Sequence, residues 1–515
     1  MPAYKNTGEN ESENFRKGRL SKPMSKLVQT YNEQPRLDWE VANLSIVLSV
    51  DSAHAVMLHE QGYISKEQAG AILQVLGDLK DAGPDNFRVT PGYGSIVLQV
   101  EKHLIHRVGE DTAGRLPIAR SRLDHCGTIR RMSDRESLLG VLKELLFLHE
   151  TLIKVAVEHG DTPMISYTHL QQAQPATFGH YLLAFGDRLQ DSFQQLTQAY
   201  HRINRSPLGA VGLSGTDLHI SRERTASLLA FDSVLENSRL GRDQYYQIEL
   251  TCCLAYVMTL LNDLATDMHI FGSVEFGVIE LDDSLCSPSS IFPQKKNAYG
   301  LETIKAKAGE SLGWTMAAFS MFRGEGTGDS GIRTVAVLTD ACRQTMGMIR
   351  LASEAIGGLT VNKERYEELL SDSWVSTNRL GNILLTSHGL HYRVAHSLVG
   401  RLVKNCLDKH IPKTDVTVDL LHDACRQMNV EPVNMTQTEL TAALDHTEYI
   451  NNSASLGSVS PQQFEHLLVQ STEQQLQNSS WLDDKLRRLA AANAELEAVS
   501  RNIISGGGVT AKTKT

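Results

Sequence analysis

Apolar residues recur at spacings of three and four along most of the chain, and the alternation that marks strands is scarce. From Leu37 to about Val108 the pattern is helical, broken at Gly62, Gly83-Pro84 and Pro91-Gly92, which predicts a small helical domain. Leu138, Val141, Leu142, Leu145, Leu148, Leu152 and Val155 then make one apolar stripe, on a helix expected to start near Ile129. Similar stripes cover 181–203, 245–271, 301–322 and 335–356. Five long amphipathic helices need partners for their apolar faces, which predicts a bundle and packing between subunits as well as within one. From about Trp374 the expected helices shorten and turns multiply. The expected division is an N-terminal helical domain with a polar arm (1–118), a central long-helix bundle (119–373), a small C-terminal helical domain (374–504) and a flexible tail (505–515).

Composition narrows the function. A formal charge of -10, without any basic run interleaved with aromatics, argues against nucleic acid or an anionic membrane as partner. The seven cysteines (126, 252, 253, 286, 342, 406 and 425) are scattered and show no CxxC spacing, as expected of thiols in a reducing compartment. The first sixteen residues are polar, and no long uncharged apolar run follows, so a cytoplasmic protein is expected. His103-x-x-His106 and His388-x-x-His391 have metal-like spacing but no acidic or cysteine partner converges on them; neither a metal nor a cofactor is expected.

Four polar patches interrupt the apolar pattern. Ala119-Arg120-Ser121-Arg122-Leu123-Asp124-His125 lies just ahead of the long helix, where free backbone N–H groups and a guanidinium fork can hold a carboxylate. Tyr167-Thr168-His169-Leu170-Gln171 falls in a polar turn before an apolar helix, a place for a proton-donating histidine. Asn204 to Thr216 is a glycine-rich connection with no strand before it, which excludes a dinucleotide or P-loop reading and suggests close backbone approach. The fourth, Ser287-Pro288-Ser289-Ser290-Ile291-Phe292-Pro293-Gln294-Lys295-Lys296-Asn297, brings hydroxyls, lysines and an amide into one loop, with Glu302 shortly beyond it.

In order and spacing these patches resemble the motifs of argininosuccinate lyases, members of the fumarase/aspartase superfamily. That family carries Ser-Arg-Asn-Asp, Tyr-Thr-His-Leu-Gln-x-Ala-Gln-Pro, Ser-Pro-Leu-Gly-x-x-x-x-x-Gly-Thr and Gly-Ser-Ser-x-Met-Pro-Gln-Lys-Lys-Asn. This chain has Ser121 to Asp124, Tyr167 to Pro175, Ser206 to Thr216 and Ser289 to Asn297. The resemblance implies an all-α fold of three helical domains, a homotetramer with a twenty-helix core, and active sites shared between subunits. It implies reversible elimination of fumarate from a substituted succinate. Ser289 then acts as base, His169 as acid with Glu302 as its charged partner, and Lys295 as the cation for the intermediate. Ser121, Arg122, Thr168, Gln171, Arg242, Ser290 and Asn297 are the implied substrate-binding residues.

The departures are as informative. Pro288 and Phe292 replace the signature glycine and methionine, and Leu123 stands at the family's substrate-binding asparagine. Val97 stands at the histidine of Asp-Ile-His-x-x-x-Glu. Gly324 to Arg333 replaces a stretch like Tyr-Asn-x-Asp-x-Gln-Glu-Asp-Lys that grips the arginine end of argininosuccinate. The expectation is a carbon–nitrogen lyase that keeps its fumarate half and has a rebuilt amine half. The alternatives are argininosuccinate lyase itself and an inactive structural protein like the lens crystallins of the family.

Overall fold

The computed structural model describes residues 24–90, 92–323 and 337–506; the glycine-rich 324–331 stretch, Arg333 and the expected tail from 507 onward lie outside them. Labelling only the elements on which the site depends, the chain forms α1 (Gln34–Ala42), α2 (Leu44–Glu60), α3 (Lys66–Ala82), α4 (Ile96–Val108), α5 (Arg122–Glu158), the strands β1 (Pro163–Thr168) and β2 (Gln171–Thr177), α6 (Phe178–Ile203), α7 (Tyr246–Phe271), α8 (Tyr299–Phe322), α9 (Val337–Gly357) and α10 (Pro461–Gly506). The fold is all-α, as the apolar spacing predicts, and the four later long helices begin and end within about three residues of their stripes.

Buried side chains form a central core from α5 to α9 and an N-terminal core around α2, α3 and α4. Ile129 and Met132 near the start of α5 belong to the N-terminal core, whereas Leu138 to Ala156 belong to the central one. One 37-residue helix, roughly 55 Å long, therefore passes from one core into the other. A third core, from Leu380 to Leu444, is built from shorter helices.

Two features differ from expectation. First, α5 starts at Arg122 and not near Ile129. Its first four turns bury Asp124, His125, Arg130, Arg131, Asp134 and Arg135, so the hydrophobic period is missing there. Distant acceptors serve two of the arginines. Arg131 donates to the carbonyls of Arg202 (2.8 Å), Ile203 (3.1 Å) and Asp243 (3.0 Å), while Arg135 donates to Asn204 Oδ1 (2.8 Å) and to the Leu229 carbonyl (2.9 Å). Second, the helices do not simply shorten after Trp374: α10 has 46 residues. Its buried positions, Ser471, Asn478, Leu482, Lys485, Leu496 and Ile503, make a stripe too narrow and too polar to read as a long buried helix. None of them joins the third core; Leu482 packs into the central core and Leu496 and Ile503 into the N-terminal one. One helix, α7, is long and apolar enough to cross a membrane by length and composition, but Glu249, Asp263 and Asp267 interrupt it, so it is not a long uncharged run. It packs against α6, α8 and α9 and buries Leu250, Leu254, Val257, Met258 and Leu261, as the core helix of a soluble protein does.

Close backbone approach sets the start of α5 against the connection that precedes α7. A Cβ on Gly127 would lie 2.6 Å from the Gly241 carbonyl oxygen, so Gly127→Ala should destabilise the protein by about 1–3 kcal/mol. Gly77, exposed within α3 with nothing near its missing Cβ, provides the control: Gly77→Ala should stabilise by roughly 0.5–1 kcal/mol. Urea-unfolding midpoints of the two variants against wild type check both signs.

Candidate active site

Ser121 is the N-cap of α5, and its Oγ accepts from Leu123 N (3.1 Å), which leaves the hydroxyl proton available to a ligand. Asp124 completes a capping box through Oδ1, which accepts from Ser121 N (2.8 Å) and His125 N (3.0 Å). Its Oδ2 accepts from Gly209 N (2.9 Å) and Val211 N (3.0 Å) in the glycine-rich connection. Gly209 has φ +84°, and its missing side chain leaves room for Ile220 and Arg222. The expected close approach is thus the approach of this connection to the Asp124 carboxylate. Burial raises the Asp124 pKa, while the N–H bonds oppose that rise.

The start of α5 forms one wall of a pocket of about 760 Å³. Ser121, Arg122 and Leu123 line it together with Glu33, Arg36, Val97, Glu101 and Arg120. Two of the departures, Leu123 and Val97, therefore face the same space as the retained Ser121 and Arg122. Beneath it Asp51 Oδ1 accepts from Arg120 (2.5 Å) and lies 2.7 Å from His125 Nε2, and His54 Nε2 donates to the Ile118 carbonyl (2.8 Å). All four side chains are buried. Burial acts to raise the Asp51 carboxyl, but Arg120 and His125 outweigh it and hold the group at about 2. Burial, reinforced by Arg120, pushes His54 down to about 3.

His169 sits at the tip of a β-hairpin and not in the expected turn leading directly into a helix. His169 and Leu170 are the two loop residues, both with φ 56°, where tight hairpins ordinarily place Asn-Gly. Two non-glycine residues held in the left-handed region represent local strain, of the kind that collects at functional sites. Tyr167, whose ring centroid is 5.5 Å from that of Phe276 and 6.4 Å from that of Phe271, anchors the hairpin to the end of α7. Thr168, His169, Leu170 and Gln171 are exposed.

The signature loop is pinched at its base by pairing of Ser287 with Asn297 and Pro288 with Lys296. Its two lysines have different surroundings. Lys296 Nζ binds Asp283 Oδ1 (2.7 Å), Glu280 Oε1 (3.0 Å) and the Leu281 carbonyl (2.6 Å), which fastens the loop to the segment before it and raises the lysine's pKa. Lys295 is exposed and has no ion pair among the described residues. Ser289 Oγ accepts two backbone hydrogen bonds, from Phe292 N (3.0 Å) and Ile291 N (3.2 Å). Donors aimed at this oxygen favour its ionised form. Asp282 caps the turn before the loop by accepting from Ser284 N (2.8 Å).

The Lyase family matches residues 18–313. An argininosuccinate lyase of Methanocaldococcus jannaschii is 31% identical over 480 residues, covering 92% of this chain and 97% of that protein. One of the argininosuccinate lyases of Shouchella clausii is 31% identical across 87% of this chain and 91% of its own length. Among solved structures, EDDS lyase in complex with formate superposes with a TM-score of 0.83 at 26% identity, covering 95% of this chain and 97% of that one. The chain belongs to the argininosuccinate lyase-like branch of the fumarase/aspartase superfamily.

It is accordingly a fumarate-releasing carbon–nitrogen lyase. Within one chain of this lyase the candidate residues fall into separate sets. Ser121 and Arg122 line the pocket, whereas Thr168, His169 and Gln171 on the hairpin and Ser289, Ser290, Lys295 and Asn297 on the loop do not. Glu302 is exposed in the first turn of α8, and no hydrogen bond or ion pair links it to His169. Arg242 is half-buried in the turn before α7. Sequence reasoning missed the buried Asp51 and His54, gave no role to His125 in the first patch, and missed the pocket-lining Glu33, Arg36 and Glu101. Asp51 and His54, polar positions one turn apart in an apolar helix, were the available signal for the first group.

The buried network makes the lyase sensitive to acid. His54 is neutral when folded and binds its proton more readily when unfolded, so its contribution is complete above about pH 6.5 and is lost as pH falls toward about 3. Asp51 adds a loss of the same sign below about pH 4. His54→Asn should flatten the fall of the unfolding midpoint between about pH 7 and pH 5, a slope to which His54 contributes up to about 1.4 kcal/mol per pH unit. Equal slopes in the two proteins would exclude His54 as a source of acid lability.

Proposed function

We propose that this lyase cleaves an N-substituted aspartate whose amine portion differs from arginine, and that it adds the same amine to fumarate in reverse. The pocket at the start of α5 carries the proposal: Ser121 and Arg122, suited to a carboxylate, share it with Leu123 and Val97, where the family has an asparagine and a histidine. An apolar pair cannot replace the hydrogen bonds of an amide and an imidazole, so the amine end must be recognised differently. A second reading, argininosuccinate lyase itself, is favoured by the names of the curated relatives. The inactive structural protein is disfavoured by retention of Ser289, His169, Lys295, Asn297 and Glu302.

In the proposed reaction Ser289, as alkoxide, removes a proton from the carbon next to a carboxylate. The electron pair moves into that carboxylate, where Lys295 and Asn297 stabilise the added charge. Collapse of this intermediate forms the double bond of fumarate and breaks the C–N bond. His169 gives its proton to the departing nitrogen, and Glu302 favours the imidazolium it needs. Ser121, Arg122, Thr168, Gln171, Ser290 and Arg242 hold the substrate. The two N–H groups on Ser289 Oγ support its role as base, and the ion-paired state of Lys296 supports Lys295 as the working cation.

A homotetramer with shared active sites fits the separation of the three residue sets. Exposed Leu312, Met316 and Phe319 on α8 also fit, as apolar residues on a long helix that lack cover within the chain. We place the enzyme in the cytoplasm.

Ser289→Ala should reduce turnover at least about a thousandfold and leave the helical circular dichroism unchanged, since an exposed loop hydroxyl contributes little to packing. Fumarate incubated with a panel of amines, read by mass, should give N-substituted aspartates, while argininosuccinate is turned over poorly. Efficient release of fumarate from argininosuccinate would establish the second reading instead.

A further inference from the structure

The short segment that leads into α5 is tied to α2 by two side chains that an apolar helix does not need for packing. From Val50 to Leu58 every residue of α2 except Ser52 is buried, and all the buried ones are apolar but Asp51 and His54. Both reach the same stretch of chain. His54 Nε2 donates to the Ile118 carbonyl (2.8 Å), and Asp51 Oδ1 accepts from Arg120 (2.5 Å) and lies 2.7 Å from His125 Nε2. Burial opposes ionisation of Asp51, but Arg120 and His125 outweigh it, so the group bears its charge.

The attachments stand on either side of a strained turn. Ala119, between Ile118 and Arg120, has φ 54°, a left-handed conformation that a residue with a Cβ keeps only where its surroundings impose it. Beyond the turn, Ser121 caps α5 and Arg122 begins it. The bonds of Asp124 start at Ser121, so the approach to the helix is left to Asp51 and His54. The same pairing decides which guanidinium is available. Of the three arginines that line the pocket, Arg36 faces Glu40 (3.5 Å), Arg120 is bound to Asp51, and Arg122 has no ion pair among the described residues.

We propose that Asp51 is a positioning residue of the lyase reaction. By holding Arg120 and His125 on one carboxylate oxygen, with His54 steadying Ile118, it fixes the start of α5, so that Ser121 and Arg122 meet a substrate carboxylate in one place and orientation. Asp51 does not touch substrate; its side chain is fully buried beneath the pocket. The inference rests on the reading of Ser121 and Arg122 as carboxylate-binding residues.

The test titrates the full-length enzyme with fumarate in a calorimeter and reads the dissociation constant. Asp51→Asn, which keeps the shape and removes the charge, should weaken binding about 10-fold, a partial loss of a charge-assisted contact. Arg122→Gln should weaken it at least as much. Adding Asp51→Asn to Arg122→Gln should then change the constant by no more than about twofold, because the group being positioned is gone. A residue needed only for folding would weaken binding equally in both backgrounds. His125→Gln, which keeps a side-chain N–H toward Asp51, should stay within about threefold of wild type, whereas His125→Leu should lose about 10-fold. Wild-type affinity in Asp51→Asn, or equal weakening in both backgrounds, overturns the role of Asp51. Should that variant fail to fold, the two His125 variants decide, and equal affinities in them overturn it. An Arg122→Gln enzyme that binds fumarate as wild type does overturns instead the reading of Arg122 on which the inference rests.

Discussion

The geometry of the pocket depends on the carboxylate of Asp124. Four backbone N–H groups, from Ser121, His125, Gly209 and Val211, converge on its two oxygens. Hydrogen bonds to a buried charge contribute about 1.5–3 kcal/mol each, and losing this acceptor would leave several buried donors unsatisfied. More important is what the bonds connect. One oxygen sets the first turn of α5, which presents Ser121 and Arg122; the other holds the glycine-rich connection beside it. Because α5 continues into the central core, the same carboxylate ties the pocket wall to that core.

Away from this anchored wall, the other chemical groups stand on projections. The hairpin presents His169 beside an exposed Leu170, and the signature loop presents Ser289 beside exposed Ile291 and Phe292. Apolar residues at the tips of polar projections have no cover within the chain, whereas a neighbouring copy would provide it. In the proposed shared site each set keeps its own support: a hairpin held by aromatic packing for the proposed acid, and a loop fastened by Lys296 for the proposed base. The carbanion-like intermediate requires its donors to be in place before charge develops, and rigid supports meet that requirement.

The long helices were legible because their apolar stripes are wide; α6, for instance, begins only three residues before its predicted start. The first turns of α5 were not, since charged residues bonded to remote carbonyls carry no hydrophobic period. The length of α10 was hidden for a related reason, its buried positions being few and partly polar. The hairpin escaped because His169-Leu170 has none of the Asn-Gly signal that marks such turns. At the site, Ser289, His169 and Lys295 were readable as motif residues, yet the N–H donors that act on Ser289 belong to the loop backbone and have no letter in the sequence. Glu33 was not legible either, because its burial in the pocket wall follows from the fold.

The central claim is that residues separated within one chain meet between copies, and subunit mixing tests it most directly. Ser289→Ala and His169→Asn enzymes are prepared separately, each inactive, and their subunits are exchanged by reversible dissociation, with native mass measurement confirming that mixed assemblies form. If the serine and the histidine of a site come from different copies, some sites escape both lesions and activity returns to a fraction set by random assembly. Mixed assemblies that remain as inactive as their parents would show that each chain supplies both residues to its own site, and the shared-site account would fail.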